Sequence, residues 1–181
     1  MSRITAIVTV LLMTTGVFCG KKTPAAAGAP VLPAEAFQPL TDAEIAKFKA
    51  ALPGVATALE SAAYKTTLPA PDDPLPVAFT KVIDPIGAVK GVPEALAAAG
   101  TSWKDFRATH YRLSAASSAI GLEMALKQKD VWSKDTSVAA RNYARRIAEM
   151  QRCLTGVPEA NKQAVQKYGP ELRDLGRLMR E

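Results

Sequence analysis

His110 is the single histidine in this chain of 181 residues, and Cys19 and Cys153 are its two cysteines. One imidazole excludes metal sites that need two or more. There is no C-x-x-C-H for covalent haem and no E-x-x-H for the di-iron carboxylate chemistry of helical bundles. Neither cofactor nor metal is expected. Ser114 stands one helical turn from His110 and Ser117 two turns. Two readings follow: a core histidine satisfied by a hydroxyl or a backbone carbonyl, or a pH-sensitive, ligand-contacting group in a polar pocket between helices. No G-x-S-x-G turn presents a nucleophilic serine, so no catalytic residue is assigned. The residues lean away from an enzyme without excluding one.

Arginine is the other candidate for chemistry. Arg141, Arg145, Arg146 and Arg152 crowd one segment, and Arg107 and Arg112 another. Guanidinium groups on facing helices hold a carboxylate or phosphate through paired N–H donors. His110, Arg107, Arg112, Arg141, Arg145 and Arg152 therefore form a candidate anion- or ligand-binding set. The simpler reading is surface ion pairing, since Glu149 follows Arg145 by four residues and Arg146 by three.

Charge is unevenly shared. Residues 1–99 carry eight basic and eight acidic side chains, and residues 100–181 carry fifteen and nine, so the whole excess of six lies in the second half. Such a surface suits anionic lipid headgroups, acidic polysaccharide or nucleic acid. An exported chain has little access to nucleic acid, and none is expected as a partner.

Export is read from the first residues. Arg3 precedes an uncharged run from Ile4 to Phe18. That length suits the apolar region of a signal and is too short for a membrane-spanning helix. Cys19 follows it directly, and two lysines follow Cys19. This placement resembles a bacterial lipoprotein signal, in which the cysteine becomes the acylated first residue. Gly16, Val17 and Phe18 stand where such signals usually carry Leu, a small residue, then Gly or Ala. Ordinary cleavage after Cys19 or near Ala25–Ala27 is the alternative. The resemblance implies a protein on the periplasmic face of a bacterial membrane, anchored through a lipid at Cys19; the alternative implies one free in the periplasm or secreted.

The rest of the chain divides accordingly: a signal over 1–19, an Ala/Pro-rich linker over 20–39 and a helical domain over 40–181. The reading of Cys153 depends on Cys19. If Cys19 is acylated, Cys153 is a lone thiol best buried beside Met150 and Leu154; if not, a Cys19–Cys153 disulfide becomes available.

Helical spacing runs through the domain. In LTDAEI, Thr41 caps, Glu44 completes a capping box and Leu40 staples to Ile45. Ile45, Phe48, Leu52, Val55, Leu59 and Ala62 then form one stripe, with a kink or brief break expected at Pro53. TTLPAPDDPLPV reads as a Pro-rich surface loop. A weaker helix over Val77–Val89, broken at Asp84-Pro85, and a short one in VPEALAAAG follow. Ser102 opens the strongest helix, with Trp103, Phe106, His110, Leu113, Ser117, Ile120 and Met124 expected inward and Ala108, Ala115, Ala116 and Ala119 as a close-approach seam. A helix over Thr136–Leu154 should bury Tyr143, Ile147, Met150 and Leu154. The last, from Pro158 toward Met179, carries the stripe Val165, Tyr168, Leu172, Leu175 and Met179, with a kink at Gly169-Pro170. The expected fold is all-α: a four-helix-bundle-like single domain with one or two short accessory helices.

The order of these pieces, with an early helix passing into "ALPGV" and "AAGTSWKDF" entering a long one, resembles exported helical proteins of Gram-negative bacteria. That resemblance implies a helical lipoprotein-type fold and no chemistry. LTDAE is also similar to the L-T-x-x-Q motif of periplasmic helical chaperones, with Glu in place of Gln and no second copy. The expected function is an exported, membrane-tethered helical-bundle binding or envelope-associated module. The alternatives are a small periplasmic helical enzyme or anionic-ligand receptor using His110 and the arginines, and a client-binding chaperone.

Overall fold

The computed structural model describes residues 31–178 apart from 66, 68, 71–72 and 130–132, with side chains described as far as Leu172. The signal, Cys19, Leu175 and Met179 fall outside those limits. The fold is all-α. A 3-10 turn at Ala34–Phe37 precedes α1 (Asp42–Ser61). Then come α2 (Leu75–Ile83), a second 3-10 turn (Asp84–Ala88), α3 (Val92–Ala98), α4 (Trp103–Lys127), α5 (Val138–Leu154) and α6 (Glu159–Leu178).

The local signals act as their chemistry dictates. Thr41 Oγ1 accepts from the Glu44 backbone N–H at 3.2 Å, and Glu44 Oε2 accepts from the Thr41 N–H at 2.9 Å, closing the capping box. Ser102 caps α4 by accepting from the Asp105 N–H at 3.1 Å. Ile45, Phe48, Leu52, Val55 and Leu59 are all buried. α1 passes through Pro53 without a break, because that ring stands on the exposed face and the stripe keeps its register. Ala62 differs from the expectation: it is exposed, since α1 ends at Ser61 and the chain turns away through Ala63 at φ +48. α2 begins at Leu75, inside the Pro-rich stretch, because prolines at the first turn of a helix forfeit no hydrogen bond.

α4 is the axis of the bundle. It packs against the first 3-10 turn and against α1, α2, α3, α5 and α6. From Phe106 to Ala116 only Arg107 is partly exposed. A helix sheathed on all sides has no polar face in that stretch, which is why Thr109, Arg112 and Ser114 are buried beside the expected apolar positions. The seam of small residues is buried as expected. Toward its end α4 is covered only from that alanine side, by the end of α5 and the start of α6. Leu122 and Ala125 therefore face inward, and Met124, expected inward, is 60% exposed.

Tyr143, also expected inward, is exposed. In the first turns of α5 Val138, Ala139, Arg141 and Tyr143 are exposed while Ala140 is buried, so only one side of the helix is covered there. Further along, Ile147 and Leu154 are buried as expected and Met150 is half-buried.

Close packing sets two glycines. A Cβ on Gly87 would lie 2.3 Å from Trp103 Cε2, so the indole rests on bare backbone of the second 3-10 turn. A Cβ on Gly54 would lie 3.1 Å from the Ala95 Cβ, where α1 and α3 touch. Phe48 of α1 stacks on Phe106 of α4 with ring centroids 4.6 Å apart, joining these contacts into one core.

The linker expected to run to Pro39 ends earlier. Leu32 and Ala36 are buried in the core, and residues 32–39 lie along α4. These two apolar side chains, spaced one turn apart, dock the segment, and polar groups on α4 and α6 fasten its backbone.

Candidate functional site

The fastening is done by two buried polar side chains. Arg112 of α4 is 7% exposed. Its Nε donates to the Glu35 carbonyl at 3.2 Å, Nη2 to Gln38 Oε1 at 3.2 Å, and Nη1 to the Pro39 carbonyl at 3.4 Å and to Glu44 Oε1 at 2.7 Å. Asn161 of α6 is fully buried. It accepts from the Leu40 N–H at 2.7 Å and donates to the Gln38 carbonyl at 2.9 Å. Partial burial pushes the Glu44 carboxyl up, but the bonds from Arg112 and Thr41 outweigh that and hold it below its ordinary value. Arg112 thus makes four hydrogen bonds to the chain's own groups. The segment over 35–44 works as a strap held to α4 and α6.

Arg107 belongs to a different cluster. Tyr111 donates a hydrogen bond to Asp84 Oδ1. Arg107 lies 3.7 Å from the same carboxylate oxygen, with its guanidinium 5.8 Å from the centre of the Tyr111 ring. Burial first, then the hydrogen bond to and the charge of Asp84, push the Tyr111 hydroxyl well above its ordinary range. A phenol this reluctant to ionise is a hydrogen-bond donor. It ties the second 3-10 turn to α4.

His110 is buried at 3% exposure, and neither ring nitrogen has a hydrogen-bond partner among the described residues. Neither the serine hydroxyl nor the carbonyl expected for it is there. Burial alone lowers its pKa to about 4, so the ring is neutral at physiological pH. The ring of its neighbour Tyr111 stands edge-on to it, with centroids 6.3 Å apart.

The remaining arginines face outward. At about 100° per residue, Arg141, Arg145 and Arg152 fall within an arc of about 60° on α5, opposite the buried Ile147 and Leu154. Arg141 Nη1 donates to the Thr136 carbonyl at 2.5 Å and Arg145 Nη2 to Asn142 Oδ1 at 3.2 Å. Arg146, off this stripe, pairs with Glu149 at 2.8 Å and donates to the Asp73 carbonyl at 3.0 Å, and Glu149 accepts from the Leu75 N–H at 2.7 Å. Glu149 is therefore spent on seating α5 against the start of α2, and it partners Arg146 and not Arg145.

The six residues of the candidate set lie in four places: His110 in the core, Arg112 under the strap, Arg107 beside Tyr111, and Arg141, Arg145 and Arg152 on the outer face of α5. The structure does not bring them into one pocket. An open groove of about 390 Å³ lies elsewhere, where the second half of α4 meets the end of α5 and the start of α6. Leu122, Leu126, Leu154 and Val157 line its floor, and Lys162 bridges to Glu123 at 2.6 Å on its rim. Cys153, buried with its thiol pushed up by desolvation, is the free cysteine among the described residues. No group of three His, Cys, Asp or Glu side chains among those residues is placed to hold a metal ion, and no helix among them is long and apolar enough to cross a membrane.

The strap and the fully sheathed α4 were not legible in the sequence. The only signal for the strap is an Arg at a position of α4 that stripe analysis leaves to solvent, together with an Asn at the start of α6. No family model, curated protein or solved structure matches the chain.

Proposed function

We propose that the protein is an exported helical-bundle module, tethered to a membrane through Cys19 and acting by binding rather than by catalysis. The observation that carries the reading is the strap. The segment following the spacer is fastened to α4 and α6 by Arg112 and Asn161, so the spacer ends in a fixed attachment at Leu32. Such an attachment passes a pull on the spacer into α4 and α6. Twelve residues lie between Cys19 and Leu32, a reach of about 40 Å when extended. The enzyme or receptor reading needs His110 and at least two arginines around one cavity, and these groups lie apart. Mass spectrometry of the mature N-terminus with palmitate labelling tests the tether. An acyl chain on Cys19, lost in Cys19→Ser, is expected; an unacylated protein beginning after Ala27 refutes it.

A further inference from the structure

The geometry points to a second membrane contact, the arginine stripe of α5, which seats the domain on a surface of anionic lipid. It rests on the tethered reading for its setting: an anchor within about 40 Å of Leu32 keeps the domain at a bilayer. α5 turns Arg141, Arg145 and Arg152 to solvent on the side opposite Ile147 and Leu154, with Val138 and Ala148 at the two edges of the arc. The stripe carries no acidic residue, and among the described residues none of the three arginines is within ion-pair distance of a carboxylate. The exposed Lys134 precedes the helix by four residues.

A straight row of guanidinium groups along a helix about 25 Å long matches a flat field of headgroup phosphates. It does not match a small ligand, because nothing encloses it. The exposed Val138 and Ala148 are small enough to let the helix lie flat, and the long arginine stems reach the headgroups from between them. Surface potential attracts each such residue on its own, so the three act together.

The test uses the full chain carrying Cys19→Ser, so that acylation plays no part, with vesicles of phosphatidylcholine alone or mixed with phosphatidylglycerol. Binding to the mixed vesicles should fall roughly a hundred-fold in Arg141→Gln/Arg145→Gln/Arg152→Gln. It should survive replacement of the same three by Lys, and weaken with added salt. A control of equal charge loss at the exposed Lys47, Lys90 and Lys104 should change little. Undiminished binding by the Gln variant, or an equal loss in the control, overturns the inference. So does stripe-dependent binding to an acidic polysaccharide with none to the mixed vesicles. Failure of the tether is read separately, from the acyl mass at Cys19, and leaves this assay unaffected.

Discussion

Acidification should destabilise this protein through one residue before its carboxylates begin to titrate. His110 has an ordinary pKa of 6.5 and a folded value of about 4, lowered by burial. Between those values the unfolded chain binds a proton that the folded chain refuses. Stability is therefore complete above pH 6.5 and is lost as pH falls toward about 4. The total amounts to about 3 kcal/mol, of which about 2 is gone by about pH 5. Against a typical net stability of about 5–15 kcal/mol, that is a large loss. The measurement is urea denaturation at about pH 7 and about pH 5, where most carboxylates stay ionised. In His110→Leu the drop over this range should vanish. Because the ring leaves two buried nitrogens without partners, the variant should also match or exceed wild type at neutral pH. As the single histidine, its imidazole resonance can be followed without assignment, and should titrate near 4. A wild type flat across this range, or an equal drop in His110→Leu, would show that the ring is solvated or bonded and would refute the burial on which the reasoning depends.

Arg112→Met should release the strap. It leaves Glu44 Oε1, Gln38 Oε1 and two carbonyls without the Arg112 donors, costs about 2–4 kcal/mol, and makes the chain before Asp42 susceptible to limited proteolysis. Gly87→Ala forces a methyl into the Trp103 indole, so about 1–3 kcal/mol of destabilisation and an altered Trp103 near-UV signal are expected. Ala63→Gly relieves a left-handed residue at φ +48 after α1 and should raise stability by about 1 kcal/mol, read as a higher urea midpoint with an unchanged slope.

What could be read directly from the chain is whatever depends on neighbours in sequence. Thr41 and Glu44 three residues apart make a capping box in almost any setting, and Ser102 and Asp105 begin α4 for the same reason. The 3–4 spacing of Ile45, Phe48, Leu52 and Val55 puts them on one stripe whatever they pack against. The all-α class and all six helices among the described residues follow from such local rules. So does the division of Asp84-Pro85 from α2, since proline removes a donor and crowds the preceding turn.

Tertiary structure alone decided how many sides of each helix are covered. A stripe marks the first face to be buried and is silent about a second. α4 is wrapped on every side between Phe106 and Ala116, so Arg112 went inside where a stripe would put it in water. Its charge is tolerated there because Glu44 and the strap carbonyls surround it. The same rule working in reverse left Met124 and Tyr143 exposed where only one side of the helix is covered. Whether six candidate residues meet in one pocket depends on helix rotation and crossing, which arise from long-range packing. Spacing within a helix could place Arg141, Arg145 and Arg152 on a common face; only the packing of α5 could turn that face away from His110 and toward solvent.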